Sequence, residues 1–101
     1  MKLRFSRDAL IDIDELKSWL KPLAPNGYSS VIKRVTATIR VLNQYPESGR
    51  ATALAGVREV IEPKYGFVIP YTVRDETIWI LRVYSSRRYP LNYNALPEPR
   101  D

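Results

Sequence analysis

The chain contains neither cysteine nor histidine. No disulfide or thiolate can form, and the usual ligands of a structural zinc are missing. The commonest nucleophile and base side chains are missing too, so any catalysis would fall to tyrosine, serine, lysine, arginine or carboxylates. No apolar run approaches the ~20 residues of a membrane span. No secretory signal pattern opens the chain, and no internal repeat or low-complexity tract interrupts it. These absences lead to the expectation of a soluble cytoplasmic protein with no metal, no cofactor and no membrane partner.

What is present is basic. The 101 residues carry a formal charge of +5 and a pI near 9.7, and eleven of the sixteen cations are arginine. Arginine forms bidentate contacts with phosphate and carboxylate, so a polyanion or an acidic protein segment is the expected partner. The charge is polarised along the chain: Asp8, Asp12, Asp14 and Glu15 lie early, Arg82, Arg87 and Arg88 late. The length fits one domain, here 1–88, followed by a proline-rich tail over 89–101 that lacks periodicity.

Lys2 to Phe5 alternates as a short half-buried strand. Ser6 is placed as an N-cap with Asp8 in the first turn, and apolar spacing predicts a helix over 7–21. Asp8, Asp12 and Glu15 fall on its other face and read as solvated. Residues 22–27 (PLAPNG) form a connector, and a second helix is predicted over 29–44. A loop and an ambiguous stretch lead to strands over 57–62, 66–73 and 77–84, joined as an antiparallel meander. Pro70 inside the second of these implies a bulge or an outward-turned missing donor. The expected fold is an α+β two-layer sandwich of order β-α-α-β-β-β. Its helical hairpin packs on a mostly antiparallel, curved, four-stranded sheet.

The most distinctive segment is Thr77 to Arg88, TIWILRVYSSRR: an apolar strand with a cation inside it. Alternation puts Trp79, Leu81 and Val83 on one face and Ile78, Ile80, Arg82 and Tyr84 on the other. Two helices can cover one face only. The Arg82 face is therefore expected to be open for a partner, or capped by Pro90, Leu91 and Tyr93 of the tail. Arg82 either serves that partner or pairs with Glu59 or Glu62 across the sheet. Trp19 and Trp79 are expected to pack between helix and sheet, Arg50 to cap the second helix, and Tyr71 either to face the partner or to be a core tyrosine with a satisfied hydroxyl.

Several features resemble the RelE/ParE superfamily of bacterial type II toxins. They are the strand–helix–helix opening, Pro46 with Gly49-Arg50, Val57-Arg58-Glu59, Tyr71, and Ile80-Leu81-Arg82-Val83 followed by Arg87-Arg88. The resemblance implies a toxin held by a cognate antitoxin, one that is acidic and folds on binding, in a hetero-oligomer. Arg82 matches the ParE-like Leu-Arg-Val motif, whose branch is associated with inhibition of DNA gyrase by binding. Arg58, Tyr71, Arg82, Arg87 and Arg88 are the implied target- or antitoxin-binding residues. The RelE-like alternative is a ribosome-dependent mRNA endoribonuclease with Arg87 and Tyr93 as catalytic residues. The paired lysines of that branch are replaced around Glu59 and Ile61 and its strand arginine by Val68, which favours the ParE-like branch; Ser85, however, stands where the ParE-like pattern Leu-Arg-Val-Leu-His places its histidine, a departure from that branch as well. A nontoxic interaction module of the same fold is the third reading.

Overall fold

A four-residue strand, β1 (Lys2–Phe5), passes through Ser6 into helix α1 (Arg7–Leu23). Ser6 is a fully buried N-cap: its Oγ accepts from the Ala9 amide at 3.1 Å. The computed structural model describes residues 1–85 and 95–100 of the chain. Helix α2 (Pro25–Gln44) follows after Ala24 alone. Both helices thus run further into the 22–27 connector than the sequence predicts. The prolines that signal a break are tolerated here. Pro25 stands in the first turn of α2, where its missing N–H has no partner to lose. Pro22 lies in the last turn of α1, and the Ala24 amide closes that turn on the Leu20 carbonyl at 2.8 Å.

The remaining strands are β2 (Arg50–Ala51), β3 (Val57–Glu62), β4 (Phe67–Arg74), β5 (Thr77–Ile80) and β6 (Tyr84–Ser85). The sheet order is β1-β5-β4-β3-β2, and β6 pairs with β4. β1 lies parallel to β5; every other pairing among the described residues is antiparallel. The α+β class and the meander are as expected. The strand count rises because Arg50–Ala51 adds a short edge and the predicted last strand is split in two. The β4–β5 turn carries positive φ at both Asp75 (51°) and Glu76 (59°), the mark of a type I′ hairpin.

Pairing register sorts the two faces. Val60 opposes Ile69, Glu62 opposes Phe67, Tyr71 opposes Ile80 and Phe5 opposes Ile80, so these side chains share a face. They meet Ala9 and Leu16 of α1 and Val31, Val35, Ile39 and Leu42 of α2 in one core. Each fully buried aliphatic side chain there contributes roughly 1.5–3 kcal/mol relative to exposure. This corrects the face assignment made from sequence. Ile78 and Ile80, at 0% exposure, lie under the helices and not on an open face. On the opposite face, Glu59, Pro70, Thr72 and Thr77 are also buried. Pro90, Leu91 and Tyr93, considered above as caps, lie outside the described residues.

Candidate functional site

The site begins with a missing proton. In a regular antiparallel pair, Leu81 and Pro70 would exchange two backbone hydrogen bonds. The Leu81 amide does donate to the Pro70 carbonyl, at 2.9 Å. Proline cannot return the bond. The Leu81 carbonyl instead accepts from Ser6 Oγ at 2.8 Å, a buried contact across 75 residues. The ladder stops there and resumes only at β6, where Tyr84 opposes Val68. Pro70 therefore neither bulges β4 nor faces solvent. It interrupts β4's neighbour over residues 81–83.

That interruption releases Arg82 and Val83 from sheet pairing, and α1 takes them. Asp12 accepts from Arg82 Nε at 2.6 Å and Nη2 at 2.9 Å, and from the Val83 backbone amide at 3.0 Å. One carboxylate thus neutralises the cation and replaces a strand as acceptor for an orphaned N–H. The guanidinium also lies 5.8 Å from the Tyr84 ring centroid. Two expectations are corrected here. Arg82 pairs with neither Glu59 nor Glu62, because the break turns it toward the helices. Asp12 is not on a solvated face; its side chain is only 10% exposed.

Beside this joint a groove of about 470 Å³ opens between the helices and the strand ends. Leu16, Trp19 and Leu20 of α1, Val31 of α2, and Phe67 and Val83 of the sheet line it, with Asp12 and Arg82 at its polar end. Trp19 is 58% exposed, which corrects its expected packing between helix and sheet. A large exposed aromatic on the wall of an apolar groove, with an arginine at one end, has the composition of a binding hot spot.

Two other anticipated residues, Arg58 and Tyr71, belong to a second cluster at the β2 edge. Tyr71 is 1% exposed; its hydroxyl donates to the Pro46 carbonyl at 2.7 Å and accepts from the Gly49 amide at 3.0 Å. Burial pushes its phenol above the ordinary value of 10.0, against the opposing pull of the Gly49 amide and the Arg58 cation. Gly49 has no room for a side chain, since a Cβ would stand 2.6 Å from the Tyr71 ring. Arg58 is exposed but donates through Nη1 to the Gly49 carbonyl at 2.8 Å. Arg50 does not cap α2: its Nε donates to Glu59 at 2.6 Å, and Glu59 Oε2 is buried with no hydrogen-bond partner among the described residues. Glu62, fully buried, accepts the Lys64 and Tyr65 amides at 2.8 Å each and Arg34 Nε at 3.3 Å, clamping the β3–β4 turn.

Of the anticipated site residues, then, Arg82 lines the groove, whereas Arg58 and Tyr71 belong to the separate β2-edge cluster. Arg87, Arg88 and Tyr93 lie outside the described residues. Asp12, Ser6 and Trp19 were not anticipated as site residues. One signal in the sequence points to the first two. Pro70 stands opposite Leu81 in the meander, so the apolar run 77–84 could not pair without a break.

Comparison with known proteins agrees with this architecture. A solved structure titled "Chromosomal ParDE TA system from P. aeruginosa" superposes with a TM-score of 0.73 at 26% identity, covering 82% of this chain and 92% of that one. A protein of Sinorhizobium fredii named "Putative toxin Y4kP" is 22% identical over 89 residues, covering 88% of this chain and 93% of its own length. Residues 3–90 match the family model described as ParE toxin of type II toxin-antitoxin system, parDE, and the chain belongs to that family.

Proposed function

We propose that the chain acts as the toxin of a type II toxin–antitoxin pair, inhibiting DNA gyrase by binding in the cytoplasm until a cognate antitoxin holds it. The observation that carries the binding reading is the groove with the exposed Trp19 on its wall and the Asp12–Arg82 joint at its end. Such a groove suits the apolar face of an amphipathic segment. Acidic residues in that segment would be favoured by the net charge of +5.

A binding mode is further supported by where the ionisable groups are spent. Asp12 holds Arg82 and the Val83 amide, Glu62 holds a turn, and the Tyr71 hydroxyl holds the Pro46–Gly49 loop. A general acid or base must reach a substrate proton, and these groups are committed inside the fold. Tyr71 and Arg58 then serve the target indirectly, by shaping the loop around Gly49. Family membership supports the choice of gyrase as the target.

The test is supercoiling of relaxed plasmid by purified gyrase with the chain added in excess. Inhibition is expected, with relief on adding the antitoxin. Unchanged supercoiling would remove gyrase as target. Mapping of mRNA ends after induction is the companion measurement; new cleavage inside translated codons would replace binding by ribonuclease action. For the groove, Trp19→Ala is expected to weaken antitoxin capture at least tenfold while leaving the fold intact.

A further inference from the structure

A second cavity, away from the groove, opens where the loop after β2 meets the ends of β3 and β4. It holds about 340 Å³, near the lower end of the ~300–1,000 Å³ usual for small-molecule sites. Met1, Leu54, Val57 and Val73 give it apolar wall, and Leu54 and Val73 are each 38% exposed. Its charged side chains are Arg58 and Glu47. We infer that this cavity binds a small apolar monocarboxylate, the acid on Arg58 and the hydrocarbon against Leu54 and Val73.

The state of its charge sets Arg58 apart. Arg34, Arg50 and Arg82 are each held by a carboxylate, that of Glu62, Glu59 and Asp12 respectively. Arg58 instead donates through Nη1 to the neutral Gly49 carbonyl at 2.8 Å, and its guanidinium makes no other hydrogen bond or ion pair among the described residues. Nε and Nη2, the side of the fork that grips a carboxylate with two parallel bonds, are therefore available. The cavity's hydroxyls are already committed. Thr52 donates to the Val57 carbonyl at 2.9 Å, Thr72 to that of Gly56 at 2.7 Å, and Tyr71 to that of Pro46 at 2.7 Å. The turn from Leu54 to Val57, closed by the Val57 amide on the Leu54 carbonyl at 3.2 Å, leaves the Ala55 and Gly56 amides without an acceptor among the described residues. These two backbone donors belong to residues of the same wall and favour an anion there. Glu47 limits how much negative charge is tolerated. A phosphate or a nucleic acid would bring several charges against that carboxylate, whereas a monocarboxylate matches the one unneutralised guanidinium. This cavity is separate from the groove that carries the toxin reading, and each can fail without the other.

The probe is isocaproate, with the uncharged isocaproamide as control, titrated into the full chain and followed by heteronuclear NMR. Saturable shifts are expected at the Arg58 Nε–H and at the Ala55 and Gly56 amides. The neutral control should bind about tenfold more weakly or worse, since it forfeits the charge-assisted bonds. Arg58→Gln, which keeps a donor for the Gly49 carbonyl, should bring the acid down to the level of its amide. Glu47→Gln, a change at an exposed residue, should tighten the acid, a gain that a damaged fold would not produce. Equal binding of acid and amide, shifts centred elsewhere, or undiminished affinity in Arg58→Gln would overturn the assignment. Tighter binding of an acetylated tripeptide ending in leucine than of isocaproate would overturn it in favour of a protein C-terminus. Gyrase supercoiling without the probe reports separately on the toxin reading.

Discussion

Replacing Asp12 by alanine should be among the most damaging single changes to this fold. The carboxylate makes two charge-assisted bonds to Arg82 and one to the Val83 amide, and the paired side chains are only 10% and 26% exposed. Removing one member of a buried ion pair costs ~3–5 kcal/mol, because the other charge is left without its partner. Arg82 retains some solvent contact, which offsets part of that loss by hydration. The Val83 amide, left without an acceptor, adds a penalty of ~1 kcal/mol. An overall loss of ~2–4 kcal/mol is therefore expected for Asp12→Ala. In a domain of this size, ~1 kcal/mol shifts the melting temperature by about 4–8 °C, so a fall of ten degrees or more should be seen. Asp12→Asn should cost less, since an amide oxygen can still accept from Val83.

The assay is urea unfolding followed by tryptophan fluorescence on the wild type, Asp12→Ala, Arg82→Ala and the double variant. If the pair acts as one joint, the double variant loses clearly less than the sum of the singles, by ~1 kcal/mol or more. Strictly additive losses, or an Asp12→Ala cost below ~0.5 kcal/mol, would refute the idea that this carboxylate stands in for the missing strand.

Three further outcomes follow from the same hydrogen-bond accounting. Ser6→Ala should cost ~1–3 kcal/mol, because it strips both the Ala9 cap and the Leu81 carbonyl of a partner; in a Pro70→Ala background the cost should shrink as the restored amide takes Leu81, which thermal unfolding can check. Glu62→Ala should destabilise by ~2–4 kcal/mol and speed amide exchange at Lys64 and Tyr65, whose N–H groups it accepts. Tyr71 has a raised pKa, so the unfolded chain ionises first as pH climbs past 10.0. Its contribution to stability is then constant below that pH and falls as pH rises toward the folded-state value. Tyr71→Phe should remove this part of the alkaline slope in denaturant titrations while costing ~1–3 kcal/mol at neutral pH through the unpaired Gly49 amide and Pro46 carbonyl.

The candidate site was legible in part. Helical spacing located α1 and α2 because apolar periodicity survives whatever the connector does. The connector itself was misread because proline punctuates a helix only where its missing donor matters, and at Pro25 it does not. Parity correctly kept Ile78 with Ile80 but could not say which face the helices would choose. Parity also could not follow Arg82, because alternation holds only while a strand stays paired. Asp12 looked like one more solvated carboxylate, since nothing local distinguishes it from Asp8 or Asp14.

The order of elements, the meander and the family were thus written in local pattern: 3.6-residue and two-residue periodicities and a few spaced residues that depend only on near neighbours. The joint at the groove was decided in three dimensions. It needs the Pro70 carbonyl beside Leu81, the Ser6 hydroxyl beneath Leu81, and Asp12 seventy residues before Arg82 in the chain. Each of those contacts satisfies a group left orphaned by another, and only the packed fold brings donor and acceptor within reach.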